Sequence, residues 1–213
     1  MPILTTPAIT AGTLAALGQP VLPMDGGGTL RPWRPTDAAA VMEAYADTGI
    51  QRWHVRRADS VEEAREWITG WRQTWRSETA GHWAVTAGDG DTVLGRLALK
   101  SWDFFDGGAE VAYWTMPAAR GTGVAPRAVR AATRWALEEA GFQRLELEHS
   151  TANPASCRVA VKAGYEAEGL RRLSARHADG WHDMHRHAAV RDLGRAPCPP
   201  PADSPECEGK GGL

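Results

Sequence analysis

Arg120-Gly121-Thr122-Gly123-Val124-Ala125 lies between residues 109–115, which read as a strand, and 124–139, which read as a helix. Glycine admits backbone conformations closed to other residues and keeps side chains out of the way. The first turn of the following helix presents unpaired N–H groups and the positive end of a dipole. Such a junction suits a phosphate or pyrophosphate, and the ligand class is left for the flanking residues to decide.

Three ligands fit a turn of this kind. A P-loop is excluded, because no G-x-x-x-x-G-K-[ST] occurs. A dinucleotide fold has Gly121 and Gly123 after a strand, with Glu146 and Glu148 near the end of the next one, about where a ribose ligand belongs. Against it stand Pro126 at the third glycine position and an upstream segment that reads as an antiparallel hairpin. The third reading is the pyrophosphate of an acyl-CoA.

Outward from the turn, the pattern is mixed α/β around one sheet. Upstream, residues 82–87 and 92–100 form a hairpin about Gly88-Asp89-Gly90-Asp91. Ser60-Val61-Glu62-Glu63 is a capping box opening a helix to about 77. Residues 29–33 read as a first strand, and Thr36 or Asp37 caps a helix to about 46. Downstream, Gly141 ends the helix, 143–149 alternates as a strand, and Asn153 or Ser156 opens a short helix to about 163. Strands follow at 164–169 and 181–190. Segments 102–108 and 171–180 read as loops. Residues 1–28 read as an arm preceding a domain at 29–195, and the Pro/Gly-rich 196–213 as a disordered tail.

Composition narrows the class. The 213 residues are 43% hydrophobic, enough for a sizeable core, and a net charge of -2 gives no global attraction to nucleic acid or membrane. Cys157, Cys198 and Cys207 form no C-x-x-C pair and no disulfide framework. No apolar run reaches membrane-spanning length, and no basic residue precedes Arg31 to start a secretory signal. The expectation is a soluble, cytoplasmic protein, monomeric or homodimeric.

Arg120-x-x-Gly123-x-Ala125 resembles the R/Q-x-x-G-x-G/A signature of the GNAT superfamily of acetyltransferases. Glu110-Val111-Ala112-Tyr113-Trp114 with Pro117 resembles the E-I-G-Y-W…P strand of its RimJ/RimL-like branch, which acetylates ribosomal-protein N-termini. Arg144-Leu145-Glu146, Asn153-Pro154-Ala155-Ser156, Lys162-Ala163-Gly164-Tyr165 and Glu168-Gly169 resemble further motifs of that branch, in order. The resemblance spans about 29–191. It implies an α/β (α+β) GNAT fold, with a mostly antiparallel sheet of six to seven strands flanked by helices.

It also implies acetyl-CoA as donor and a primary amine as acceptor. The acceptor is a protein or peptide α-amine, or alternatively a small amine such as an antibiotic or polyamine. Gly121, Thr122, Gly123, Val124 and Ala125 would hold the CoA pyrophosphate by backbone N–H groups beside Arg120, and Arg127 or Arg130 would be either phosphate partners or simply exposed helix arginines. Tyr113, Trp114, Thr115 and Met116 would lie along the pantetheine arm, where a bulge near Tyr113–Trp114 splays the strand and supplies an oxyanion donor. Asn153 would bond the pantetheine amides or simply cap its helix. Glu110 would be the general base for a protonated amine, or an exposed strand glutamate; Glu66, Asp103 and Asp106 are substitutes. Ser156 would protonate the leaving thiolate, because the tyrosine common seven residues after the asparagine is Ala160 here.

Other residues draw attention. Trp67, Trp71 and Trp75 repeat at i, i+4, i+8, a stripe that reads as core before it reads as a substrate wall. Trp33, Trp53 and Trp102 are further aromatic candidates. Arg52, Arg56 and Arg57 beside His54 form a basic patch. His185 and His187 share a strand face while His182 takes the other, but with no cysteine or carboxylate partner evident beyond Asp183, no metal is expected. Cys157 reads as a buried helix cysteine. A CoA-binding module without catalysis is the reading from a different class.

Overall fold

The alternation of 109–115 is realised as the centre of a sheet. A computed structural model describes residues 4–192 and 194. Its elements in chain order are α1 (Thr13–Leu17), β1 (Leu22–Pro23), β2 (Thr29–Pro32), α2 (Ala38–Ala46), α3 (Thr48–His54), α4 (Val61–Arg76), β3 (Gly81–Thr86), β4 (Val93–Asp103), β5 (Gly108–Thr115), α5 (Val124–Glu138), β6 (Arg144–Ser150), α6 (Pro154–Lys162), β7 (Glu166–His177) and β8 (Gly180–Val190). One sheet runs β1-β2-β3-β4-β5-β6-β8-β7. All neighbours are antiparallel except β5 and β6.

Period-2 burial on the strands divides two cores. On one face Val85, Leu97, Leu99, Val111, Leu145 and Leu147 pack with the apolar stripe of α5, including Val129, Ala132 and Trp135. On the other, Ala84 and Trp114 pack with Trp33, Val41, Tyr45, Ile50 and Ile68 from the early helices. The tryptophan stripe of α4 is core, as its spacing suggested: Trp75 joins the first cluster, and Trp67 and Trp71 pack against the second. Residues ahead of Thr29 also enter the first cluster through Ile9, Leu14, Leu22 and Met24.

Local chemistry sets the boundaries. Ser60 Oγ accepts from Glu63 N at 3.1 Å to start α4, but Glu63 Oε2 accepts from Asp59 N rather than from the Ser60 backbone, so the box is shifted by one residue. Asp37 stands at the start of α2 without capping it. Its carboxylate accepts from Arg34 N and takes a two-pronged bond from the buried Arg31 at 2.8 and 2.9 Å.

Three expectations need correction. The sheet has eight strands, not six to seven, since β1 pairs with β2. Residues 171–177, read as loop, are strand: β7 extends to His177 and pairs with β8, bending where its register shifts between Arg171 and Ala175. No bulge occurs at Tyr113–Trp114, where β4–β5 pairing is regular from Gly95↔Thr115 to Lys100↔Glu110; the irregularity falls at Lys100–Asp103. Residues 196–213 lie outside the described residues.

Candidate active site

The β5–β6 ladder holds only three pairs, ending at Glu110↔Glu146, although β5 continues to Thr115 and β6 to Ser150. Beyond Glu110 the strands part without a bulge and open a cavity of about 760 Å³. With β4 paired on one side, alternate backbone N–H and C=O groups of β5 face the gap. One of these, the Tyr113 carbonyl, accepts from His54 Nε2 at 3.1 Å.

The glycine turn forms one end of the gap. Gly121 and Gly123 both have φ +78, left-handed values, and a Cβ on Gly121 would meet nothing within 4 Å. No side chain caps α5, so its first-turn N–H groups have no intrahelical partner. Arg120, Gly121, Gly123, Val124 and Ala125 line the cavity. Thr122 does not, and its hydroxyl donates to the Ala119 carbonyl at 2.7 Å. Pro126 sits in the first turn of α5, where a missing N–H costs nothing.

Two arginines expected at the phosphates are engaged elsewhere. Arg127 donates to the Thr122 carbonyl at 3.0 Å and Arg130 to the Lys162 carbonyl at 2.8 Å, and neither lines the cavity. Arg158 and Lys162, one turn apart on α6, line it instead. Arg120 is ion-paired with Asp47, which also accepts from Ile50 N to cap α3. The Arg120 hydrogen bond is the main reason the Asp47 carboxyl lies below the usual range.

Across the gap, Asn153 Oδ1 accepts from Ser156 N at 3.1 Å, capping α6 while lining the cavity. Both roles foreseen for Asn153 are compatible. Ser156 also lines it, and its Oγ is 2.7 Å from the Tyr113 hydroxyl. Burial pushes the Tyr113 phenol up to about 12, an effect that the Ser156 hydrogen bond only partly offsets. Trp114 and Thr115 line the cavity, whereas Met116 is buried against the early helices. Ala160 is fully buried, so the position of the missing tyrosine is core.

Glu110 sits where β5 and β6 separate, its Oε1 2.7 Å from Lys100 Nζ. Among the substitutes, Glu66, Asp103 and Asp106 do not line the cavity. Glu148 does, though sequence reasoning gave it no catalytic part. Burial raises the Glu148 carboxyl, but hydrogen bonds from Arg171 and Arg186 outweigh this and hold it below the usual range. Trp53, one of the aromatic candidates, lines the cavity, whereas His54 and His177 were missed as lining residues because α3 has too little periodicity to be seen and 171–177 lacked strand alternation. Burial, then the charge of Arg96, pushes His54 down to about 4, so it is neutral near pH 7. Trp33 and Trp102 belong to the cores.

Comparison with known proteins gives this geometry a family. Residues 29–166 match the acetyltransferase (GNAT) domain. The chain is 26% identical over 162 residues to a probable N-acetyltransferase, YjcK, of Bacillus subtilis strain 168, covering 72% of this chain and 88% of that protein. Its fold is similar to that of RimL, a ribosomal L7/L12 α-N-protein acetyltransferase solved with coenzyme A, at TM-score 0.73 and 18% identity over 81% of this chain and 99% of that one. It is also similar to the microcin C7 self-immunity acetyltransferase MccE, solved with acetyl-CoA and AMP, at TM-score 0.70 and 15% identity over 78% and 93% of the two chains. The chain belongs to the GNAT family of acetyltransferases. Among the described residues, no helix is long and apolar enough to cross a membrane.

Proposed function

We propose that this chain transfers acetyl from acetyl-CoA to the α-amine of a peptide or protein. The observation that carries the donor assignment is the seam between β5 and β6, with a glycine-lined helix start at one end and Asn153 and Ser156 along its side. An arm bearing amides that leads into a pyrophosphate matches the free strand edge and the unpaired helix N–H groups in turn. The RimL and MccE structures, with coenzyme A and acetyl-CoA, support the same reading.

Glu110 takes a proton from the ammonium of the acceptor, directly or through water. The free amine attacks the thioester carbonyl, the C–S bond breaks, and the thiolate is protonated through Ser156. The products are an amide and coenzyme A thiol. Positioning, and N–H donors at the carbonyl oxygen, supply most of the acceleration.

One observation favours a second reading, a small-molecule amine. Arg52 on α3 bonds Asp179 in the β7–β8 turn at 2.9 Å, and Trp53 meets His177 edge-on at 5.3 Å, bridging two elements that border the cavity. The deciding experiment measures thiol release from acetyl-CoA with panels of short peptides and small amines. Peptide turnover that rises in Arg52→Ala supports the first reading. Turnover of small amines alone, indifferent to Arg52→Ala, supports the second. Donor binding with no turnover on any amine leaves a binding module.

A further inference from the structure

At the margin of the cavity, which His149 itself lines, four side chains from three elements converge that the proposed transfer does not use. His149 of β6 stands directly opposite His185 of β8, His187 lies two residues along the same face, and Cys157 comes from α6. Their nitrogens and sulfur all lie within 4.8 Å of one another. His149, His187 and Cys157 are buried, with His187 only 1% exposed.

Packing alone accounts poorly for this arrangement. The His149 Nδ1–H donates to the Ser150 carbonyl at 2.9 Å, which leaves Nε2 as a lone pair. That Nε2 accepts a hydrogen bond from His187 Nε2–H at 3.1 Å. His185 Nδ1 is buried without a hydrogen bond, and His187, though it faces the Tyr165 backbone, completes none through Nδ1. Buried polar nitrogens with no partner are unfavourable, and here two occur in one cluster.

We infer that His149, Cys157, His185 and His187 form a closed four-ligand site for Zn²⁺. Metal–nitrogen bonds of about 2.0–2.1 Å and a metal–sulfur bond of about 2.3 Å give tetrahedral edges of roughly 3.3–3.6 Å, between the 3.1 Å of the His149–His187 pair and the 4.8 Å within which all four ligand atoms lie. One thiolate and three imidazoles select zinc over the harder magnesium or calcium. The Ser150 carbonyl fixes the His149 tautomer, as partners outside a metal's ligand set commonly do. Four protein ligands leave no open position, so the ion is structural. It pins α6, which carries Asn153 and Ser156, to β6 and β8.

The test uses the full chain, without an affinity tag, stripped by a chelator and titrated with Zn²⁺ alone and then Co²⁺ alone. One equivalent of zinc is expected to bind and to raise Tm by about 5–10 °C at saturation. Cobalt is expected to give tetrahedral ligand-field bands with a thiolate charge-transfer band. Cys157→Ala should abolish the charge-transfer band, and His185→Ala should weaken zinc binding by more than about 100-fold, since even partners outside the ligand set cost 10–100-fold. The double variant Cys198→Ser/Cys207→Ser should retain both. A stripped wild-type chain whose Tm ignores zinc and which gives no cobalt spectrum overturns the site, with no variant required. So does a charge-transfer band that survives Cys157→Ala and disappears with Cys198 and Cys207.

Discussion

The Tyr113 hydroxyl lies 2.7 Å from Ser156 Oγ, joining the parted strand β5 to helix α6 across the cavity. With the phenol at about 12, Tyr113 keeps its proton through the neutral range and can replace one that Ser156 gives up. In the proposed mechanism the pair stands in for the tyrosine whose place Ala160 fills with core.

Tyr113→Phe and Ser156→Ala are each expected to lower kcat about tenfold, below the usual range for general acid–base catalysis because a thiolate leaves readily. The double variant should be little worse than either single one, since both act on one proton path. Steady-state kinetics of all three would show this; multiplicative losses would separate the two hydroxyls.

The glycine turn separates donor affinity from stability. Gly121→Ala meets no atom within 4 Å, so its cost to the fold is the left-handed backbone alone, about 1–2 kcal/mol. The KM for acetyl-CoA should nevertheless rise at least tenfold as the turn relaxes and its N–H groups turn away, with kcat less affected. A KM unchanged in a folded Gly121→Ala protein would remove the turn from donor binding.

The buried Arg31–Asp37 pair ties β2 to the start of α2, with side chains 5% and 7% exposed. Removing one partner strands the other charge. Asp37→Ala should therefore cost about 3–5 kcal/mol and lower Tm by roughly 10 °C. Asp91→Ala, which breaks the exposed Arg34–Asp91 pair, should cost less than about 1 kcal/mol. Thermal melts of the two variants measure the contrast.

Acid should destabilise the chain earlier than carboxylate titration alone would. Burial, then Arg96, pushes His82 down to about 2, and His54 is likewise held near 4. The unfolded chain takes up protons below about pH 6.5 that these folded imidazoles refuse, so stability falls as pH drops from 6.5 towards the folded values. Each such group contributes up to about 1.4 kcal/mol per pH unit. Urea midpoints between pH 6.5 and 4.5 should decline, and His82→Gln should flatten the slope.

Much of the fold was legible because its signals are local. Ser60, Gly88–Asp91, Gly141 and Asn153 each mark an element boundary by turn or cap chemistry, and the elements follow. The proposed donor end of the site was visible as a pattern for the same reason, being one contiguous turn and one capped helix. What escaped depends on tertiary partners. Helix α3 is held by Asp47, itself held by Arg120 seventy-three residues away. The second half of β7 is irregular in register and reads as loop. The strand opening needed no bulge, since β5 and β6 simply diverge. Cys157 met its histidines only through the crossing of α6 over β6 and β8.

The seam between β5 and β6 is a strand edge in the interior of a sheet. Exposed strand edges are where chains pair wrongly with one another, and proteins normally blunt or cover them. The proposed reaction needs this edge open to the donor, although the Tyr113 carbonyl is already taken by His54 Nε2. With the donor laid along it as proposed, the cosubstrate also serves as the guard of that edge. How long the protein stays dispersed at high concentration then depends on the supply of acetyl-CoA as well as on its own sequence.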